Sequence, residues 1–134
     1  MMLLLKTRAE TLETVIKHSK HALHSIPNGI KRGDILLIAQ TVHTLKKHQK
    51  SIRYLMFFDE CYEDRDNESD ALWGKHWKYI IKGKIQPIEP FDIKDIQVSK
   101  KNYASVMTYC FLSAEDEIAV KEYLSKSSAG KVGI

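Results

Sequence analysis

The chain alternates apolar and polar blocks in two rhythms, and each rhythm names an element. "MLLLKT" reads as a strand ending in Lys6 and Thr7. In "TLETVIKHSKHAL" the apolar residues Leu12, Val15, Ile16, Ala22 and Leu23, with Ser19 completing the stripe, keep helical spacing and predict an amphipathic helix. "IPNGIKRGD" is a turn-rich stretch punctuated by Pro27, Asn28, Gly29 and Gly33. "DILLIAQTV" and "SIRYLMFFDECY" are apolar runs separated by "HTLKKHQK", which predicts two neighbouring antiparallel strands with a basic tip. "WKYIIKGKIQPIE" predicts another strand, interrupted at Gly83 and ended by Pro87 and Pro90. "SVMTYCFL" supplies a last short strand. Ser113 then caps "AEDEIAVKEYL", whose Glu115, Asp116 and Glu117 suit a helix N-terminus. The sum is four or five strands, mostly antiparallel, with one helix early and one at the end: a small α+β barrel or curved sheet.

Length and composition narrow the class. A chain of 134 residues fits one domain with its own core, here residues 1–126 followed by a polar tail over 127–134. Its 43% apolar and 28% charged residues are ordinary for a globular protein and argue against disorder. No apolar run approaches the roughly 20 residues of a membrane span, and "MMLLLKTRAE" is too short an apolar stretch for a secretion signal. Cys61 and Cys110 stand far apart without metal-binding spacing, and two reduced thiols in a cytoplasmic protein is the expectation.

Charge is distributed unevenly. The net +4 divides into +7 over residues 1–58, −6 over residues 59–70 and +3 over the rest. The acidic stretch "DECYEDRDNESD" is expected to be a solvated loop set into a basic domain, leaving a surface suited to a polyanion. Lysines that merely keep a small protein soluble are the bland alternative. Directly after the acidic stretch comes "LWGKHWKYIIKGK", two tryptophans, a tyrosine and four lysines without a carboxylate.

Signatures of catalysis are missing. His18, His21 and His24, placed on the predicted helix, fan out too widely to grip one metal. There is no nucleophile elbow, phosphate-binding loop or dinucleotide-binding glycine pattern. The acidic stretch lacks the glycine and spacing of an EF-hand. The sequence therefore predicts a binder, not an enzyme, with no metal and no cofactor. Tyr54, Phe57, Phe58, Phe111 and Tyr123 fall in strand or helix patterns and are assigned to the core. Trp77 shares a strand face with Tyr79 and is expected to pack inside. Trp73 lies at the exit of the acidic loop, either a lid on the core or a stacking platform.

The order of these segments resembles the PUA-like superfamily, and within it the EVE and YTH groups of small barrels that read nucleic acid. "LLLKTRAETLETVIKHSKHALHSIP" is similar to their opening strand and helix, and "GIKRGDILLIAQT" to a turn and strand common in EVE and other PUA-like domains. "WKYIIKGKIQPIEP" resembles the late strand of YTH domains, and "FLSAEDEIAVKEYL" the C-terminal helix of EVE domains. The resemblance implies a flipped or single-stranded base, modified or not, held in an aromatic and apolar pocket. On this chain it implies Lys6, Thr7, Leu23, His24, Ser25 and Trp73 around the base. Arg8, Lys31, Arg32, Lys46, Lys47, Lys50, Lys75 and Lys78 would meet the backbone phosphates. YTH domains take one cage wall from a Trp after the first helix. Here that neighbourhood reads Ala22, Leu23, His24, so one wall is replaced, while Trp73 stands in for the other. The partner implied is DNA or RNA, with no membrane, the chain standing alone or as a module of a larger restriction-type protein. A protein-interaction or small-ligand domain on the same fold is the alternative reading.

Overall fold

The most apolar runs of the sequence lie at the centre of the sheet. In the computed structural model, which describes residues 1–106 and 108–127, the chain runs β1 (Met2–Thr7), α1 (Ala9–His18), β2 (Lys20–Leu23), β3 (Ile35–Gln40), β4 (Ile52–Glu63), α2 (Glu68–Trp73), β5 (Tyr79–Phe91), α3 (Ile93–Ile96), β6 (Tyr109–Phe111) and α4 (Ala114–Lys126). The strand order is β2-β5-β4-β3-β1-β6. β1 and β3 are parallel, with Met2 beside Ile35 and Thr7 beside Gln40; the other neighbours are antiparallel. Every residue of β3 is buried, as expected of a central strand covered on both faces.

Alternation along β1 sorts the core into two layers. Met2 and Leu4 join Leu37, Leu55, Val120 and Leu124 under α4. Leu3 and Leu5 join Leu36, Met56, Leu12 and Val15 under α1. Asp116 anchors α4 from inside. Its buried carboxylate accepts the N–H groups of Val98 at 2.7 Å and Ser99 at 2.9 Å and the hydroxyls of Ser99 and Tyr103. Burial alone would raise its pKa, but these donors hold it well below the usual carboxylate range.

Five local expectations change. The first helix ends at His18, because Ser19 adopts the left-handed conformation at φ 56° and its N–H closes on the Val15 carbonyl. Residues 20–23 then turn outward as β2 and pair with β5, Leu23 beside Tyr79. Two elements of opposite type thus share one apolar stripe, and the sheet has six strands. Trp77 precedes β5 instead of lying in it, and β5 runs past Pro87 to Phe91. At Gly83 β5 continues, while β4 carries an irregularity between Phe58 and Glu60. A Cβ on Gly83 would lie 2.0 Å from the Phe57 carbonyl oxygen, so glycine permits that close approach.

The acidic stretch is not a solvated loop. Its first half is the end of β4, and its second half enters α2. Asp64, 6% exposed, caps α2 by accepting the N–H groups of Glu68 and Ser69, both at 2.9 Å. Glu68 pairs with Lys20 and accepts the Tyr62 hydroxyl at 2.7 Å, tying α2 to the outer strand β2. Asp64 and Glu68 thus secure the fold from within the acidic stretch.

The sheet curls until its two edges meet. Between β2 and β1, His21 Nε2 lies 2.9 Å from Thr7 Oγ. Beyond them the Ser25 and Tyr109 hydroxyls are 2.9 Å apart. These contacts span the seam of a half-barrel, and a cavity opens there.

Candidate nucleic-acid interface

The seam cavity has a volume of about 170 Å³. Lys6, Thr7 and Arg8 come to it from the β1–α1 junction, and His21 and Leu23 from β2. Trp77 and Thr108 complete the walls used below. Lys6, Thr7, Arg8 and Leu23 are sequence-predicted site residues, and the curl of the sheet brings them together. His24 and Ser25 border the same seam.

His21 was assigned to the helix by its spacing, yet it forms the floor of this cavity. Its Nδ1 lies 2.7 Å from the Ala22 carbonyl oxygen, which can only accept, so Nδ1 carries the proton. Burial drives its pKa down to about 4 against the pull of the backbone carbonyls of Ala22 and Lys6, so the ring is neutral at pH 7. In that tautomer Nε2 is an acceptor, and the Thr7 hydroxyl donates to it. Thr7 is 2% exposed, and its oxygen keeps its lone pairs for a further donor.

The aromatic wall is Trp77. Its ring stacks on His24 with centroids 4.3 Å apart and planes tilted by 33°, and the Lys75 ammonium sits 4.9 Å from the ring centroid. A buried polar knot positions the segment: the Trp77 N–H donates to Ser69 Oγ at 2.9 Å, and Ser69 Oγ donates to Asp64 at 2.5 Å. Asp64 in turn donates its N–H to the Lys78 carbonyl at 2.8 Å. Burial alone would raise the Asp64 pKa, but the bonds from Ser69 and Glu68 hold it low.

Trp73 has the opposite setting. It ends α2, is half-buried, and packs against the layer containing Leu3 and Leu5. It does not line the seam cavity. Of the two alternatives left open for Trp73 the structure fits the lid on the core, and Trp77, expected inside, takes the place beside the cavity that the resemblance implied for Trp73. Trp73 gains a core contact because the preceding residues form a helix, and Trp77 leaves the core because it stands before β5.

The predicted phosphate contacts scatter. Lys75 and Lys78 flank Trp77, with Lys78 5.5 Å from the Tyr79 ring centroid. Lys46 lines an open groove of about 580 Å³ beside α1, together with Lys17, Gln40 and Arg53. Ala9 and Gln40 line this groove, while their chain neighbours Arg8 and Thr41 line the seam, so the two recesses adjoin. The Nε of Arg53 is buried without a partner among the described residues, and the other end of its guanidinium donates to Gln40. Lys47 is exposed, and Lys50 is paired with Asp92 at 3.7 Å and Asp95 at 3.5 Å. Lys31 and Arg32 lie before the start of β3, at the far end from Thr7, and Arg32 pairs with Asp59 at 3.1 Å. Those two do not converge on the seam.

Of the three histidines, only His18 lies in α1; His21 is in β2 and His24 just beyond it. A different trio, Asp64, Asp70 and His76, brings ligand atoms within 4.8 Å of one another. Asp64 is already committed to α2, and His76 Nδ1 lies 3.0 Å from Asp70.

Neither a protein-family profile nor a curated protein matches this sequence. Solved structures do. An ASCH protein from Zymomonas mobilis superposes with a TM-score of 0.63 at 13% identity, covering 95% of this chain and 96% of that one. The YTH domain of a Zygosaccharomyces rouxii protein, solved in complex with N6-methyladenosine RNA, gives a TM-score of 0.54 at 11% identity, covering 91% and 86%. The fold is shared with these ASCH and YTH structures. At such identities the likeness concerns architecture: a curled six-stranded sheet with flanking helices. Among the described residues, no helix is long and apolar enough to cross a membrane.

Proposed function

We propose that this domain binds nucleic acid by taking one single-stranded or flipped base into the seam between β2 and β1. The observation that carries this reading is the pairing of an aromatic wall, Trp77 on His24, with the Thr7–His21 floor in one cavity. A base has two flat faces and a polar edge; it would stack on Trp77 by displacing one of the exposed side chains now over that ring, His24 or Lys75, and Thr7 offers an oxygen that accepts from the edge. Lys75 stands beside the wall, and the groove of Lys17, Lys46 and Arg53 adjoins the cavity as a track for phosphates. The likeness to a YTH domain solved with a methylated-adenosine RNA supports nucleic-acid binding on this fold.

Binding without catalysis is the form of the proposal. Thr7 and His21 have the spacing of a nucleophile and its base. Yet a desolvated imidazole whose pKa has fallen to about 4 gives little pull on a hydroxyl proton at neutral pH.

The test is a set of short oligonucleotides, single- and double-stranded DNA and RNA, with and without base methylation, titrated over a salt series. Single strands should bind, with affinity falling steeply as salt rises, because several phosphates are neutralised. No binding to any of them at low salt would overturn the reading.

A further inference from the structure

On the other face of β1 lies a larger recess that shares Lys6 with the seam and otherwise has its own lining. Its volume is about 410 Å³. Val42 and Leu45 wall it on one side, Ile93 on another, and Tyr103 closes it toward the core. Val42 is 66% exposed, although it belongs to an apolar wall. Lys6 points from β1 to this side, since it follows Met2 and Leu4 in the alternation.

Donors outnumber acceptors among the polar groups here, although Gln97 spends its NH2 on the Ser99 and Lys101 carbonyls at 2.9 and 2.8 Å and Lys101 already donates to the Phe111 carbonyl at 2.7 Å. Lys6 is half-buried and has no carboxylate partner among the described residues. Desolvation lowers its pKa, opposed by the neighbouring Cys110 thiol. Lys94 and Lys101 add two further ammonium groups at the rim. The side-chain oxygens of Gln49 and Asn102 are spent on backbone N–H groups, those of Lys46 at 3.0 Å and Ala104 at 3.1 Å, so each amide is left to present its NH2. The one lining carboxylate among the described residues, Asp92, already accepts the Ser51 N–H at 2.8 Å and faces Lys50. A recess with apolar walls, surplus donors and a desolvated amine is matched by a ligand with the opposite inventory.

We propose that this recess is a second binding site for a small organic anion, a carboxylate or phosphate monoester carried on an apolar body. The acidic head would meet Lys6 with the Gln49 and Asn102 amides, and the apolar body would cover Val42, Leu45 and Ile93. The site touches the seam at Lys6 but lies apart from the Trp77 wall, and it does not depend on the seam binding a base.

Benzoate and phenyl phosphate are suitable probes, with benzamide as the neutral counterpart of the same shape. In amide-resolved NMR titrations of the full chain, both anions should shift the backbone signals of Ser51, Asn102 and Ala104 saturably, while benzamide leaves them in place. The tighter of the two anions identifies the preferred head group. Lys6→Met should weaken binding at least tenfold, and the exposed-rim change Lys94→Glu at least threefold, with thermal melts confirming that each variant is folded. Equal shifts with benzamide, or unchanged anion affinity in a folded Lys6→Met or in Lys94→Glu, would overturn the proposal. Because Lys6 also borders the seam, the two sites are told apart with Lys94→Glu, which should weaken anion binding and leave Trp77 emission on oligonucleotide binding unchanged.

Discussion

Trp73 and Trp77 differ by four positions and by everything that surrounds them. Trp73 packs on the layer beneath α1, so Trp73→Ala should lower stability by about 2–4 kcal/mol in denaturant titrations, as loss of a large packed aromatic does. Trp77 belongs to neither core layer; Trp77→Ala should change stability by about 1 kcal/mol or less. It should nonetheless cost roughly 1–3 kcal/mol of oligonucleotide affinity, the worth of one stacked base. His21 gives a second prediction, through pH. Its folded pKa of about 4 lies below the reference value of 6.5, so in that window the unfolded chain binds a proton that the folded chain refuses. This contribution to stability is fully present above pH 6.5 and is lost as pH falls toward 4. Between pH 7 and pH 5 the loss should be on the order of 2 kcal/mol, since each pKa unit is worth about 1.4 kcal/mol. Urea titrations at the two pH values should show a smaller difference for His21→Gln. An equal difference in both proteins would assign the acid sensitivity elsewhere.

At the scale of elements, the short α2 helix positions the binding wall through its buried polar knot. Ser69→Ala removes the acceptor for the Trp77 N–H and the hydroxyl donor to Asp64 while leaving the indole in place. Stability should fall by about 1–2 kcal/mol, the cost of leaving a buried partner unsatisfied. Oligonucleotide affinity should fall as well, because the wall is no longer held in position. Full affinity in a folded Ser69→Ala would show that Trp77 is positioned by its stacking on His24 alone. The same stretch shows where sequence reading succeeds and fails. β1, β3, β4 and α4 were legible because long apolar runs and the Ser113 cap each have one interpretation. The α1–β2 boundary was not, since it rests on a left-handed serine with no Gly or Pro to mark it. α2 was hidden because its capping carboxylate, Asp64, looked like one more charge in an acidic run.

For the whole molecule, curling is what converts scattered residues into a site. Thr7 and His21 lie in strands far apart in the sheet order, yet their side chains meet. Lys6, Thr7, Arg8 and Leu23 were reachable from sequence through the resemblance to PUA-like readers. His21 and Trp77 were not, because their roles depend on which edges close on each other. Lys31 and Arg32 were assigned to the phosphates with the same resemblance, yet the length of β3 separates them from the seam. The central claim is that a base stacks on Trp77 in that seam. Trp73→Phe leaves Trp77 as the sole tryptophan of a chain that has two, so its fluorescence reports on that wall alone. Titrating this variant with a short single-stranded oligonucleotide should quench the emission in proportion to the bound fraction, and added salt should reverse the quench. Binding that proceeds by an independent measure with no change in Trp77 emission would contradict the account.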